Sequence, residues 1–352
     1  MKAFHFCIFL LLFGSAPAGL FSQKATAVAA VSITVENLDR EVAFFTEALG
    51  FQKIKEETWT GKEAAELFDW PDESASVQIV TLQLGDEQVR LMDFHGIPSR
   101  PVAPDARSND LWFQHLAIVV SDMETAYRQL LARKVVHVST APQTLPDYLP
   151  NAAGIKAFYF RDPEGHNLEL IWFPPGKGAA KWQETVAEGS SSGQRPEGGQ
   201  PRPLFLGIDH TAIAIADTDN SLAFYRDRLG LVHGGHSENY GPEQEHLNQI
   251  FGARLDINGL HADIGPGVEF LQYIAPPGGR LYPADSKAWD LWHYHTEMEV
   301  DDLDALVQKL EKPGVTRVSR RIAGLSGTNM VMVRDPDGHA VLLKSRQKPQ
   351  KG

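Results

Sequence analysis

Two segments of the chain read almost alike: RDPEGHNLELIWF from Arg161 to Phe173, and RDPDGHAVLLKSR from Arg334 to Arg346. They part where a side chain could do chemistry, because Glu169 in the first copy faces Leu342 in the second. A carboxylate can hold a divalent cation or accept a proton from carbon, and a leucine can do neither. A second capable stretch is HYHTEMEVDD, residues 293–302, which puts His293, His295, Glu297 and Glu299 on one strand face. It is compatible with a further metal site, and more simply with a solvated or hydrogen-bonded inner face. His166 and His339 follow the tight turns and read as structural hydrogen-bonding groups. His233, His236 and His246 read as exposed residues of a polar loop. Arg100 and Arg280 precede matched strands; they read as surface arginines, with an anionic substrate as the alternative. Trp112 and Trp292 have the opposite strand parity to the nearby histidines and are expected in outer-face packing.

The elements that must position these groups are written twice. Shifted by 180 residues, AFFTEALGF at Ala43–Phe51 meets AFYRDRLGL at Ala223–Leu231, and NDLWFQH at Asn109–His115 meets WDLWHYH at Trp289–His295. The shift drops to 173 at the RDPxGH segments, so the second copy is a few residues shorter in a loop. A period this long is a domain duplication. The segment AEGSSSGQRPEGGQPRP, rich in Gly, Ser, Pro and Gln, separates the copies and reads as a flexible linker, residues 184–203. The two domains are placed at 27–183 and 204–347.

Each copy carries the same elements. VAAVSITVEN is a half-buried strand, and DREVAFFTEALGF an amphipathic helix with Val42, Phe45 and Leu49 on its apolar face and Gly50 as its cap. VQIVTLQLG and QVRLMDF follow as strands around a GDE turn. The order then restarts inside the copy. FQHLAIVV is a strand, and the helix after it is expected to open on an N-cap Ser121 with Glu124 completing a capping box. IKAFYFRD and HNLELIWF close a hairpin. Each domain is thus two strand–helix–strands modules, and the chain holds four.

Composition bounds the rest. The 352 residues suffice for two domains, and 43% hydrophobic with 22% charged residues reads as globular. A net charge of −12 without a long basic block argues against nucleic acid or an anionic membrane as partner. Lys2, the apolar run FCIFLLLFG and Ala16-Pro17-Ala18 read as a secretory signal peptide within residues 1–25, too short to span a bilayer. The expected location is secreted or periplasmic, with no membrane association after cleavage. Cys7, the sole cysteine, lies in that run, so the mature chain would use neither disulfide nor thiol chemistry.

The helix segment and the closing FxDPxGxxxEL-like hairpins resemble the vicinal oxygen chelate superfamily. It includes glyoxalase I, extradiol dioxygenases, methylmalonyl-CoA epimerase and the fosfomycin and bleomycin resistance proteins. The resemblance covers nearly all of residues 28–345. It implies an α+β fold of two tandem domains, each of two βαβββ modules, with modules pairing into cup-shaped sheets. It also implies metal ligands on the first and last strands of each module. Those positions are Ala30 and Arg90, His115 and Glu169, His210 and Glu269, His295 and Leu342; the match of Arg90 to Glu269 depends on a strand register that could slip by one. If the copies share their sites, one cup takes His115, Glu169, His210 and Glu269. The other is left with Ala30, Arg90, His295 and Leu342, an arginine standing where a cation would sit. If each domain closes its own cup, the first holds His115 and Glu169 and the second His210, Glu269 and His295. Sharing accounts for all the losses together.

Two histidines and two glutamates suit one divalent ion among zinc, nickel, cobalt, manganese and iron. By resemblance, the ion would act as Lewis acid on a small substrate with adjacent oxygens and stabilise an enediolate, with Glu169 or Glu269 as catalytic base. That is isomerase or lyase chemistry at one interdomain site. An iron dioxygenase of the extradiol type and a non-catalytic small-molecule-binding protein are the alternatives. PNAAGIKAFYFRDP lacks the histidine that the dioxygenase signature carries before FYFRDP. The expected assembly is a monomer or homodimer.

Overall fold

A computed structural model describes residues 24–74, 76–183, 202–310 and 316–346. The signal-peptide reading and most of the linker reading lie outside the described residues. The first module runs β1 (Ala25–Val35), α1 (Leu38–Leu49), β2 (Gln52–Thr60), α2 (Gly61–Phe68), β3 (Ser76–Leu84) and β4 (Glu87–His95). The second runs β5 (Gln114–Val120), α3 (Met123–Ala132), β6 (Val136–His137), β7 (Gln143–Thr144), β8 (Lys156–Arg161) and β9 (Asn167–Trp172). The third runs β10 (Phe205–Ile215), α4 (Thr218–Tyr225), β11 (Val232–Tyr240), α5 (Pro242–Asn248), β12 (Arg254–His261) and β13 (Gly267–Ala275). The fourth runs β14 (Tyr294–Val300), α6 (Leu303–Leu310), β15 (Thr316–Arg317), β16 (Ile322–Leu325), β17 (Thr328–Arg334) and β18 (Ala340–Ser345). Among the described residues no helix is long and apolar enough to cross a membrane.

Local chemistry explains the helix ends. Asn37 caps α1 by accepting from the Arg40 amide, and Gly50 ends it at φ 75°, a conformation that costs glycine least. The cap of α3 is Asp122, which accepts from the Thr125 amide; the expected Ser121 lies one residue outside.

The strands form two nine-stranded sheets that cross the copies. In one, β1 pairs antiparallel with β14, joining modules one and four; in the other, β5 pairs antiparallel with β10, joining modules two and three. Each cup therefore takes half its strands from each copy, and a cup closed within one copy does not form. Two of the apolar cores follow the copies instead, while two others cross them, one holding Phe94 with Trp289 and the other Tyr159 with Leu255. Phe45, Leu49, Val31 and Ile33 pack with Leu116, Leu130, Phe158 and Leu170 in a core made mostly of the first copy. Phe224, Tyr225, Phe270, Leu306 and Leu343 centre a second core made mostly of the second copy. Sheet pairing and helix packing thus tie the four modules together in two different directions.

Two reciprocal devices add to this. Arg100 makes 2.7 Å contacts to both oxygens of Asp290 and lies 4.7 Å over the Trp292 ring. Arg280 repeats this on Asp110, at 3.1 and 2.7 Å, and on Trp112 at 4.7 Å. These arginines lie at the surface as expected, and there they act as cross-copy clasps that recruit the two tryptophans. His166 bridges the Asp162 carboxylate and the Thr34 carbonyl, at 2.7 and 2.9 Å, and so links the sheets within the first copy. His339 does the same through the Ala214 carbonyl at 2.9 Å. The structural reading of these two histidines agrees with that geometry. His233 and His236 lie on strand β11 and His246 on α5; all three are exposed, but in regular structure where a loop was expected.

Beside His166 lies an unusual acid. Glu41 is buried, and neither of its oxygens has a hydrogen-bond partner. Burial, reinforced by Asp162, pushes its carboxyl up to about 9. Burial alone would lower His166, but Asp162 outweighs it and raises the ring to about 9. Both groups hold protons more tightly folded than unfolded. Their contribution is complete below the ordinary values of 4.5 and 6.5 and is lost as pH rises through about 9. Stability in chemical denaturation is expected to fall most steeply between pH 6.5 and 9 on their account. Glu41→Gln should flatten that fall and gain on the wild type at the alkaline end; an unchanged slope would refute the assignment. Asp110→Ala, which leaves Arg280 with Asp105 and solvent, should cost about 1 kcal/mol in the same assay.

Candidate metal centre

Register brings the candidate ligands together in the sheet of modules two and three. Across the β5–β10 pair His115 stands opposite Ala212, and His210 opposite Ala117. The parallel neighbours set Glu169 of β9 beside Ala117 and Glu269 of β13 beside Ala212. Two alanines thus clear the middle of the face while four chemically active side chains surround them.

Donor atoms of His115, Glu169 and His210 all lie within 4.8 Å of one another, and all three residues are buried. His115 Nε2 is 3.0 Å from Glu169 Oε2, and His210 Nε2 is 3.6 Å from the same oxygen. Both ring nitrogens are buried without an aligned hydrogen bond. Glu269 Oε1 is 3.5 Å from His210 Nε2, at the more exposed edge of the group. The structure gathers all four predicted residues, three tightly and Glu269 beside them. Converging imidazole lone pairs and a carboxylate fit a divalent first-row ion, since such orphaned buried donors are otherwise costly.

The electrostatics separate the two glutamates. Burial drives the Glu169 carboxyl up, but contacts to His115 and His210 outweigh it and hold it at about 2. Glu269 is pushed up to about 7, first by burial and then by Glu169 and Asp209, with His210 opposing. Burial lowers His115 despite Glu169. Burial also opposes the charge on His210, but Glu269, Asp209 and Glu169 prevail and raise it well above the ordinary range.

Asp209 was not foreseen from sequence. Its Oδ2 accepts from His210 Nδ1 at 3.0 Å, which turns Nε2 to the site, and its Oδ1 accepts from Trp182 Nε1 at 2.5 Å. Neighbours on a regular strand face opposite ways, but the β5–β10 register shifts between Ile208 and His210. That irregularity lets adjacent residues serve one site. The tyrosine ring of Tyr159, 4.8 Å from that of His115, was missed as well. A cavity of about 760 Å³ opens over His210 and Glu269, lined also by Asn151, Ser237, His236 and His261.

The sister sheet puts different groups at matching places. Arg90 stands opposite Ser32 as Glu269 stands opposite Ala212, so the register does not slip. Leu342 is fully buried among apolar residues that include Phe94 and Trp289. Glu297 takes the place of Ala117, with Leu342 beside it as Glu169 is beside Ala117. Its carboxylate accepts from Ser32 at 2.7 Å, Arg90 at 2.8 Å and Lys344 at 3.0 Å. Burial opposes that charge, yet Arg90 and Lys344 hold it well below the usual carboxylate range. On the face carrying His293, His295 and Glu297, His293 Nε2 lies 3.3 Å from His295 Nδ1, while His293 Nδ1 and His295 Nε2 are buried without a hydrogen-bond partner.

Comparison with known proteins accords with this geometry. The family model for the Glyoxalase/Bleomycin resistance protein/Dioxygenase superfamily matches residues 27–170 and 207–343. A 2-epi-5-epi-valiolone epimerase from Actinomyces sp is 35% identical over 159 residues, 43% of this chain and 82% of that protein. Among solved structures, glyoxalase I from Zea mays aligns at a TM-score of 0.57 with 16% identity, covering 92% of each chain. A putative dioxygenase from Bacillus subtilis subsp. subtilis str. 168 aligns at 0.54 with 13% identity, covering 92% of this chain and 86% of that one.

Purified without chelator, the chain should hold about one divalent ion by mass spectrometry. His115→Ala should remove it and His295→Ala should retain it, because the two histidines serve different cups. Asp209→Asn should weaken metal affinity by about 10- to 100-fold through the lost orientation of His210. Retention of metal by His115→Ala would overturn the assignment.

Proposed function

The chain belongs to the Glyoxalase/Bleomycin resistance protein/Dioxygenase superfamily, and from that premise we propose that it is a metal-dependent isomerase acting next to a carbonyl. The observation that carries this reading is the contrast between two carboxylates in one site. Glu169 is held ionised between two imidazoles, whereas Glu269, lining the open cavity, sits near neutrality at about 7. A carboxylate poised there can accept a proton from carbon and return it. A bound divalent ion would supply Lewis acidity to adjacent substrate oxygens. His115, His210 and Glu169 would hold that ion, and Asp209 would fix the tautomer of His210. The polar lining from Asn151, Ser237, His236 and His261 suits a small hydroxylated substrate. The epimerase named among the relatives supports proton transfer at carbon as the reaction class. Export of the protein, from the apolar N-terminal run, is part of the same proposal.

A second reading has its own support. His115, His210 and Glu169 alone make a two-histidine, one-carboxylate group, which is the arrangement that suits iron and dioxygen. The two readings differ in what they consume. Incubated in D2O with small α-hydroxyketones, the isomerase should exchange the proton beside the carbonyl, seen by NMR, without oxygen uptake. Glu269→Gln should slow that exchange by about 100-fold or more while leaving the metal in place. Oxygen consumption with a catechol, and no exchange with any ketone tried, would sink the isomerase reading in favour of the other. Mass spectrometry of the mature N-terminus in an exporting host tests cleavage within residues 1–25.

A further inference from the structure

The sister cup also opens into a cavity, about 380 Å³, and the lining is of opposite charge. Lys55, Arg90, Lys344 and Arg346 line it against the carboxylates of Glu57 and Glu299. This is a surplus of two positive charges in a chain of net charge −12. Glu297 behind the wall and Asp301, 3.9 Å from Arg346, offset that surplus from outside the lining, so what distinguishes the cavity is the cations on its surface. The cavity over the metal centre shows the reverse, with Lys181 against Asp209 and Glu269.

The inner cations are held in place. Arg90 is nine-tenths buried, spans Glu297 at 2.8 Å and Glu57 at 2.5 Å, and lies 4.8 Å over the Trp59 ring. Those two contacts use two of its five N–H donors, and Glu297 takes one of the three on Lys344. The hydroxyls of Thr81 and Ser345 also line the cavity, and that of Ser326 donates to Glu57 at 2.7 Å. Burying a guanidinium where apolar residues would pack costs free energy, so a cationic pocket is a poor choice for filler. It is a good one for oxyanions, which guanidinium binds in a fixed planar geometry.

We propose that this second cup binds a small organic anion, through carboxylate or phosphate oxygens, with no metal. Arg90 and Lys344 provide the inner donors, and Lys55 and Arg346 close on the ligand from the rim. The volume falls within the range of small-molecule sites. The site is independent of the chemistry proposed for the first cup.

The test is calorimetric titration of chelator-treated protein at 150 mM salt with inorganic phosphate, pyrophosphate and citrate in turn; that salt screens diffuse surface attraction over about 8 Å. At least one probe should saturate at one per chain with a Kd below about 1 mM. The phosphate probes and citrate separate the two sources of oxyanion. Arg346 is half-exposed, and its nearest carboxylate is Asp301 at 3.9 Å, so Arg346→Gln should fold normally. It should weaken binding about tenfold, and Lys344→Gln more. His115→Ala, which breaks the metal centre, should leave anion binding intact. The proposal fails if none of the three probes saturates, if Arg346→Gln binds as well as the wild type, or if His115→Ala abolishes binding.

Discussion

Antiparallel pairing of leading strands across the duplication is the constraint on which the rest of this molecule depends. Without the β5–β10 pair, His115 and His210 would sit in separate copies with no shared face. With it, two alanines occupy the centre and the active side chains ring them. Two apolar cores run the other way, each drawn mainly from one copy, while two more lie within the cups and join the copies. Packing thus follows both the copies and the cups, whereas the candidate chemistry belongs to the cups alone. Neither arrangement can shift without straining the other, and the arginine clasps and histidine pins sit where the two directions cross.

Both cups face one physical problem, a carboxylate buried in a β-sheet, and they answer it differently. Glu169 is compensated by two imidazoles beside it, an arrangement that a divalent cation would complete. Glu297 is compensated by covalently attached cations, Arg90 and Lys344. A tethered guanidinium cannot be titrated away at accessible pH or removed by a chelator. The second cup therefore gives up Lewis-acid chemistry and gains permanence.

The sequence reveals the duplication, the four modules and the asymmetry of the two cups, because repeats and strand parity are linear signals. Shared cups are inferred from the pattern of losses, and the strand order agrees. Other features depend on local backbone irregularity or on contacts distant along the chain. Asp209 reaches the candidate metal centre because of a register shift, which strict strand alternation does not show. Glu297 was one of four alternating polar residues, and nothing in its spacing names Arg90 and Lys344 as its partners. Arg100 and Arg280 read as surface residues because their aspartates lie about 190 and 170 positions away. Ser121 lost the α3 cap to Asp122, a competition between adjacent good caps that composition alone does not decide.

The strand order is also an order in time. Modules two and three lie consecutively between modules one and four, so the sheets nest like paired brackets. The inner closure joins residues such as His115 and Thr211, 96 positions apart; the outer joins Ser32 and Glu297, 265 apart. Loop-closure entropy and directional synthesis both favour the inner pair. The cup that holds the candidate metal centre can close as soon as the third module emerges. The first module must keep the open edge of β1 from pairing elsewhere until nearly the whole chain exists. The half of the molecule with the candidate metal centre can therefore close first, and the cationic cup is the seal applied last.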